Sequence, residues 1–368
     1  MRIVSLCLIV LVIFGASVTV LQSQEAACSA YLEQALAAVQ DACGATGRNQ
    51  ACYGNFSMQA TTREAAIILD FDARGDVANV ADLQTLRLDG LNTEANTWGI
   101  ALMKIQANLP DSLPGENVTF LLFGDVEIEN AANSVASIAV TTLNASNVRQ
   151  RPSTEATVIG SLTSGETVTA DGRTADFTWL RVRLPDSDSL GWVSADLLQP
   201  TGDVATLSEV DPANDTVPFT PMQAFYFRSG ASGTTCETAP QDGILIQTPE
   251  GVGQISLRAN DVDIQLGSTA FIKAQPGGSM SFSILEGAGR ARVDGEYIEV
   301  PAGSWVEIPM SDDLSASGAP SNPKPYNNDS LQRVPVQLLP REITITPSLT
   351  EEEIAAFLAA REDNGQGN

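Results

Sequence analysis

The chain has 368 residues, with 45 acidic side chains against 20 basic ones, no histidine and five cysteines. A formal net charge of −25 repels phosphate backbones, so we expect no nucleic acid among the partners. The absence of histidine excludes a Ser-His-Asp or Cys-His triad and a histidine-ligated zinc site. The length predicts two or three domains.

An apolar segment near the N-terminus predicts the compartment. Arg2 precedes an apolar run over residues 3–21, and polar residues follow it, which is the layout of a secretory signal. The run is also about as long as a membrane-spanning helix needs to be (~20 residues). Residues 1–24 are therefore predicted to be a cleaved signal peptide or an uncleaved anchor, the latter being the only expected membrane association. Both alternatives predict an extracytoplasmic protein, either secreted or anchored at the outer side of the cytoplasmic membrane.

Four cysteines lie outside this segment, namely Cys28, Cys43, Cys52 and Cys236. An even number of cysteines in an oxidising compartment favours two disulfides. Three connectivities are possible, and the sequence does not choose among them. A Cys₄ zinc site is disfavoured because the spacings contain no C-x₂₋₄-C pair. We expect no metal and no cofactor.

Residues 25–140 are predicted to form a disulfide-stapled α+β domain. Apolar side chains at a helical spacing predict a helix over residues 27–42. Stretches rich in apolar and β-branched residues predict strands over residues 98–107 and 118–128. No enzyme motif occurs in this region.

One acidic segment partly matches a calcium-binding loop. Asp70, Asp72 and Asp76 have a suitable spacing, but Arg74 and Ala81 stand where an EF-hand needs oxygen ligands. We interpret the segment as a solvated acidic turn.

Residues 141–200 show short stretches of alternating polarity between turn residues, which predicts a small β-barrel. Three motifs occur in order, Asn147-Val148-Arg149-x-x-Pro152, Gly160-x-Leu162-x-x-Gly165 and Gly191-Trp192-Val193. These residues resemble the bacterial SH3-like (SH3b) domain, which opens, continues and closes with the same three patterns. The resemblance covers about one sixth of the chain.

The SH3-like resemblance implies binding of cell-wall glycan, peptidoglycan or an envelope protein. Arg149, Trp179 and Trp192 are the candidate ligand-binding residues, because aromatic grooves suit extended peptides and glycan stems. Both tryptophans have an alternative interpretation as core or rim residues of the barrel.

The remaining chain is predicted to contain a second β domain between two linkers. Residues 201–218 and 311–345 have linker compositions, and residues 219–310 contain eight short candidate strands that predict a β-sandwich or jelly roll. Turns such as Leu285-Glu286-Gly287 and Ala302-Gly303 give residues 219–310 a resemblance to the FecR-like envelope domain. Residues 346–368 are predicted to form a short helix, which starts at a Thr350/Glu353 capping box, and a disordered tail.

Together these features predict a multidomain, mainly β, non-enzymatic bacterial binding protein that acts at the cell envelope. An alternative is an envelope sensor or regulatory protein retained by its N-terminal anchor. A third hypothesis is a cell-wall hydrolase with an unrecognised catalytic domain in residues 25–140. We expect that the protein is not an enzyme, because histidine is absent and none of Lys104, Lys273 and Lys324 lies in a Ser-x-x-Lys pattern.

Overall fold

The structure, a computed structural model, describes residues 26–64, 69–106, 117–132, 137–184, 190–210, 219–230, 236–251, 254–295 and 297–365. The predicted signal peptide or anchor over residues 1–24 and part of the predicted linker, residues 211–218, lie outside this range. Within it, every helix is too short or too polar to cross a lipid bilayer.

Strands dominate the described part of the chain. The helices are α1 (26–43), α2 (Asn328–Leu331) and α3 (Glu351–Gly365). The strands up to the barrel are β1 (Gln50–Asn55), β2 (Met58–Thr62), β3 (Val77–Asn79), β4 (Leu83–Leu88), β5 (Ile100–Gln106), β6 (Asn117–Phe123) and β7 (Val126–Asn130). The barrel strands are β8 (Ile138–Thr142), β9 (Ser146–Arg149), β10 (Val158–Leu162), β11 (Thr167–Arg173), β12 (Trp179–Arg183), β13 (Leu190–Ser194), β14 (Leu198–Pro200) and β15 (Ser208–Glu209). The later strands are β16 (Ala224–Ser229), β17 (Gly243–Gln247), β18 (Ile255–Ala259), β19 (Val262–Leu266), β20 (Thr269–Ala274), β21 (Ser279–Glu286), β22 (Ala288–Arg292), β23 (Ile298–Pro301), β24 (Ser304–Pro309) and β25 (Lys324–Pro325).

The chain divides into two compact units. The larger unit takes its described residues from Met1–Ile105, Asn117–Asn130 and Phe225–Asn368. The second, which we call the barrel unit, takes them from Gln106–Glu116 and Ala131–Ala224. The prediction of a multidomain, mainly β chain is confirmed, since the described strands form three sheets.

Two sheets build the larger unit. Sheet 1 has the strand order β25-β24-β21-β20-β17-β6-β5-β1-β3, and sheet 2 has the order β2-β4-β7-β16-β18-β19-β22-β23. In sheet 1 the pairings from β3 to β5 and from β6 to β25 are antiparallel, and so are those from β2 to β16 and from β18 to β23 in sheet 2. The chain switches between the sheets at Gly124, which connects β6 to β7 with φ +83°, a conformation that favours glycine.

The structure groups the chain differently from the predicted domain boundaries. Residues 25–140 and 219–310 contribute strands to the same two sheets, where the sequence predicts two separate domains. Leu121 of β6 pairs with Leu245 of β17, and Ile128 of β7 pairs with Phe227 of β16. Two separate domains would leave these four strands as apolar edges, and mutual pairing removes those edges.

The pairing of β7 with β16 also explains how the barrel unit is accommodated. Asn130 and Phe225 are paired residues at the ends of these strands, and the Ala131–Ala224 segment of the barrel unit lies between them in the sequence. Because paired residues in antiparallel strands have Cα atoms only about 5 Å apart, the inserted unit begins and ends at nearly the same point. The sheet therefore continues without interruption across the insertion.

Sheet 1 is buried on both faces. Phe120 of sheet 1 contacts Phe225 of sheet 2, with ring centroids 5.5 Å apart. On the opposite face, Phe123 belongs to a cluster that includes Leu32 and Val39 of α1. Burial of both faces accounts for the nearly continuous apolar sequence of β5, β6 and β17. The helix predicted over residues 27–42 is confirmed by α1 and packs as its apolar spacing requires.

The predicted linker over residues 311–345 contributes side chains to the core. Five of its apolar side chains are buried in the cluster that covers sheet 1, namely Tyr326, Leu331, Val334, Leu339 and Ile345. These residues stand singly among Pro, Ser and Asn, so neither a helical nor a strand period identifies them. The helix that follows is confirmed as α3, where the Thr350 hydroxyl accepts a hydrogen bond from the Glu353 amide at 3.2 Å and the Glu353 carboxylate accepts one from the Thr350 amide at 2.8 Å.

Two disulfides brace the larger unit. Cys43 at the end of α1 is bonded to Cys52 in β1, and Cys28 in the same helix is bonded to Cys236. The sequence predicted two bridges, and the tertiary structure selects this connectivity from the three possible ones. The Cys28–Cys236 bridge closes a loop of 208 residues that contains the barrel unit.

The barrel unit is larger than the predicted 141–200 segment. Its sheet has the order β10-β9-β13-β12-β11-β8-β14, with β15 paired to β11. β8 begins before the predicted segment and β15 lies in the predicted linker over residues 201–218. Leu207, also in that linker, is 2% exposed and belongs to the barrel core, so the described part of the linker completes the barrel.

Candidate functional site

The three residues proposed from the sequence lie on one wall of the barrel. Trp192 in β13 pairs with Arg149 in β9 on one side and with Arg181 in β12 on the other, and Trp179 lies two residues from Arg181 along β12. Their sequence neighbours Val148, Leu180 and Val193 belong to the barrel core. Because side chains alternate along a strand, Arg149, Trp179 and Trp192 all face away from that core.

The centre of this wall is closed. Trp192 is only 1% exposed, so its ring offers no surface to a ligand, and the structure favours the structural interpretation of this residue. Beside it, Arg181 forms an ion pair with Asp171 at 2.8 Å, and these side chains are 3% and 9% exposed. The buried centre therefore supports the barrel and does not form an open groove.

Arg149 and Trp179 lie at the edges of the wall and are half-buried. The Arg149 guanidinium donates a hydrogen bond to the Ala156 carbonyl at 2.8 Å, which ties the 150–157 loop to β9. The Trp179 backbone amide donates to the Thr174 hydroxyl at 3.1 Å, and its carbonyl accepts from the Thr174 amide at 3.0 Å. Trp179 is therefore held by the turn that precedes β12.

That turn, residues 174–178, carries an exposed aromatic ring and is called the Phe177 turn below. Phe177 is 44% exposed, and the Arg173 guanidinium lies 4.0 Å from the centre of its ring. A cation over an aromatic face stabilises both groups and restricts their motion. Sequence reasoning missed Phe177. The available signal was an aromatic residue in an otherwise polar turn, Thr-Ala-Asp-Phe-Thr.

The Phe177 turn is organised by one carboxylate. Asp176 Oδ1 accepts hydrogen bonds from the Thr174 hydroxyl at 2.6 Å, the Thr178 hydroxyl at 2.8 Å and the Thr178 amide at 3.2 Å. These bonds compensate for the backbone of Phe177, whose φ of +60° is uncommon for a residue with a side chain. The hydrogen bond from Thr174, followed by those from Thr178, lowers the pKa of Asp176 below its ordinary value of 3.8.

We expect the Phe177 turn to loosen in acid. Because the folded-state pKa of Asp176 is lowered, its stabilising contribution is complete above the ordinary value of 3.8 and is lost as the pH falls through the lower folded value. An NMR titration of the Thr178 amide proton should report an apparent pKa below 3.8. Substitution T174V removes the strongest donor and should raise that value. A wild-type midpoint at or above 3.8 contradicts the prediction.

Residues 70–76, the acidic segment that the sequence predicts to be a turn, form a turn in the structure. The carboxylate oxygens of Asp70, Asp72 and Asp76 lie within 4.8 Å of one another. Asp76 Oδ2 accepts hydrogen bonds from the amides of Asp72 at 3.1 Å and Ala73 at 2.7 Å. These bonds within the turn account for the position of Asp76, and we assign the segment no binding role.

A second concave feature, which sequence reasoning missed, lies in the larger unit. It is a cavity of about 490 Å³ beside β20, β21 and β24. Ser279, Ser281 and Ser283 on β21 line it together with Lys273 and Trp305. A Ser-x-Ser-x-Ser pattern places three hydroxyls on one face of a strand, which was the available signal.

Comparison with protein families identifies part of this architecture. Residues 143–199 match the family model described as the bacterial SH3 domain, which confirms the resemblance based on the three motifs. The matched residues run from just before β9 to β14 and include Arg149, Phe177, Trp179 and Trp192. The FecR-like resemblance of residues 219–310 is not shown by this comparison. The chain has no match among curated proteins or solved structures.

Proposed function

We propose that the chain is a non-enzymatic bacterial binding protein of the cell envelope, and that its bacterial SH3 domain binds peptidoglycan. The observation that carries the proposal is the exposed Phe177 ring, held beneath Arg173 and next to Trp179 on the matched barrel. The two disulfides support a site of action outside the cytoplasm, because such bonds persist in oxidising compartments.

The chemistry of the Phe177 turn suits a cell-wall polymer. Aromatic rings such as Phe177 and Trp179 present flat apolar surfaces to the apolar faces of sugar rings and to peptide side chains. Arg173 supplies donors that bind the carboxylates of stem peptides by charge-assisted hydrogen bonds. Phe177 lies on a turn braced by Asp176, and Arg173 and Trp179 end the strands on either side of it, so little side-chain entropy is lost when a ligand binds.

Substitution F177A should reduce retention on purified, insoluble peptidoglycan roughly tenfold, because an aromatic contact is worth about 1–1.5 kcal/mol and 1.4 kcal/mol corresponds to a factor of ten. The measurement is a co-sedimentation isotherm of the purified chain at fixed ionic strength. Phe177 is exposed and outside the barrel core, so we expect the variant to fold normally.

The chain offers a closely matched control for this experiment. Phe56 in the larger unit is 49% exposed and has the Arg74 guanidinium 4.8 Å from its ring centre, so F56A removes a similar ring–cation pair elsewhere. F56A should leave retention unchanged. Equal retention of wild type and F177A, or equal losses in F177A and F56A, would overturn the role of the Phe177 turn. A wild-type chain that stays in the supernatant would overturn peptidoglycan binding itself.

A further inference from the structure

The cavity in the larger unit has the size of a small-molecule site. Its volume of about 490 Å³ lies within the range of roughly 300–1,000 Å³ that is usual for ligand pockets. We call it the serine cavity. Its described lining consists of Gln241, Phe271, Lys273, Gln275, Ser279, Ser281, Ser283, Trp305, Pro325, Tyr326, Asn327, Ser330 and Leu331.

Strand register places the polar groups of the serine cavity side by side. Ser281 is paired with Lys273 of β20, and Ser283 is paired with Trp305 of β24. Within the described part of the chain, the hydroxyls of Ser281 and Ser283 have no hydrogen-bond partner, although Ser283 is only 6% exposed. Because both hydroxyls line the cavity, they can donate to and accept from a ligand oxygen placed there.

The serine cavity has a single charge, and it is positive. Lys273 is the one ionisable lining residue among those described, apart from the neutral Tyr326 phenol, and no carboxylate lines the cavity. Burial lowers the pKa of Lys273, against the opposing effect of the nearby Asp242 carboxylate. The ammonium has one neutral partner, Gln241 Oε1 at 2.7 Å. An anionic ligand would strongly stabilise the charged form of a partly desolvated ammonium of this kind. The cavity is thus a cationic site in a chain whose net charge is −25.

The rim of the serine cavity combines fixed aromatic groups with amides. The Trp305 indole N–H donates to the Pro325 carbonyl at 3.1 Å, and the Tyr326 hydroxyl donates to the Thr346 carbonyl. Burial raises the pKa of Tyr326 to about 12, so its ring is a neutral wall of the cavity at every physiological pH. Fixed rings beside uncharged hydroxyls and amides match a ligand that has an apolar ring face and several hydroxyl groups.

We propose that the serine cavity binds one acidic saccharide unit, with its carboxylate at Lys273, its hydroxyls on Ser281 and Ser283, and its ring beside Trp305. A carboxylate gives the Lys273 ammonium a charged partner inside the cavity, and sugar hydroxyls both donate to and accept from Ser281 and Ser283. All lining residues belong to the larger unit, so this site is separate from the Phe177 turn and the proposal does not depend on peptidoglycan binding by the barrel.

Isothermal titration calorimetry of the full chain tests the proposal with two matched sugar pairs. Glucuronate is compared with glucose, where the C6 hydroxymethyl group is replaced by a carboxylate. N-acetylmuramic acid is compared with N-acetylglucosamine, to which it adds a 3-O-lactyl group that carries the carboxylate. The acidic member of at least one pair should bind about tenfold more tightly than its neutral partner, as a charge-assisted hydrogen bond provides. Succinate, a carboxylate without a sugar ring, should bind at least about tenfold more weakly than the preferred acidic sugar.

Variants of two lysines in sheet 1 locate the effect. K273Q should abolish the preference for the acidic sugar, while K104Q, which removes the same charge from β5 outside the cavity, should preserve it. S283A keeps the charge and should weaken the acidic and the neutral sugar by similar factors. A cooperative thermal unfolding transition shows that each variant is folded. S283A tests the cavity without altering its charge.

Several outcomes would overturn the proposal. These are no binding of any of the four sugars at millimolar concentration, equal binding within both pairs, succinate binding as tightly as the acidic sugar, or the same loss in K104Q as in K273Q. The test is also distinct from that of the barrel. F177A should change retention on peptidoglycan and leave sugar affinity unchanged, whereas K273Q should change sugar affinity alone.

Discussion

Removal of the Cys28–Cys236 bridge should lower the free energy of unfolding of the larger unit by about 5 kcal/mol, because the bridge closes a loop of 208 residues and the entropy of loop closure grows with the logarithm of loop length. The double variant C28S/C236S removes the bridge and leaves no unpaired thiol. Urea denaturation followed by the fluorescence of the buried Trp98 measures the change.

The Cys43–Cys52 bridge provides an internal control for this result. Cys43 and Cys52 are nine residues apart, so C43S/C52S should cost only about 2.5 kcal/mol by the same relation. The larger unit should therefore unfold at a lower urea concentration in C28S/C236S than in C43S/C52S. Equal midpoints, or the reverse order, would show that local packing around α1 and not loop length determines the contribution of the bridges.

Substitution D171A should destabilise the barrel unit by about 3–5 kcal/mol, because it removes the carboxylate that faces the buried Arg181 guanidinium at 2.8 Å. A small barrel has little stability in reserve, so this loss is expected to unfold it and to abolish retention on peptidoglycan. Hydrogen exchange should show faster exchange in β11, β12 and β13, with the sheets of the larger unit still protected.

A compensating pair of substitutions distinguishes loss of charge balance from loss of packing. D171L/R181M replaces both charged groups with apolar side chains and leaves no buried ion without its partner. This double variant should recover much of the protection of the barrel strands that D171A loses. If D171L/R181M is as unstable as D171A, or if D171A exchanges like wild type, the ion pair does not have the stabilising role derived from its burial.

The barrel and the serine cavity would give the chain two independent binding sites. The barrel presents its Phe177 turn on one compact unit, and the cavity is formed entirely by strands and rim residues of the other. A protein that binds a cell-wall polymer through one site and an acidic saccharide through another would gain affinity for surfaces that carry both ligands. The separate effects of F177A and K273Q provide the means to examine each site alone.

Local patterns predicted many elements closely. β17 and β19 lie in residues 219–310, where the sequence predicts short strands, and turn residues flank both runs. The Thr350/Glu353 capping box identified the start of α3 for the same reason, since its hydrogen bonds join residues three apart. The three motifs of residues 147–193 identified the barrel because each turn needs specific residues at specific positions.

The candidate sites were only partly predictable. Trp192 and Arg149 lie on the same wall of the barrel, but a strand pattern does not show what covers a face, and Trp192 is buried. Phe177 was missed although its partners Arg173 and Asp176 are close in sequence, because a short turn has no helix or strand period. The serine cavity was missed because its lining residues come from separate segments of the chain. Lys273, for example, meets Ser281 through strand pairing and Trp305 through a third strand.

The sequence by itself determined the mainly β composition, the identity of the barrel, the expectation of two disulfides and the acidity of the surface. These properties depend on residue type and on spacings of a few residues. Only the tertiary structure decided that residues 25–140 and 219–310 share two sheets, that Cys28 is bonded to Cys236, and that residues 326–345 cover sheet 1. The physical reason is that these features depend on pairing between segments more than 100 residues apart, as between Leu121 and Leu245, for which edge closure and burial select the partner and no local pattern does.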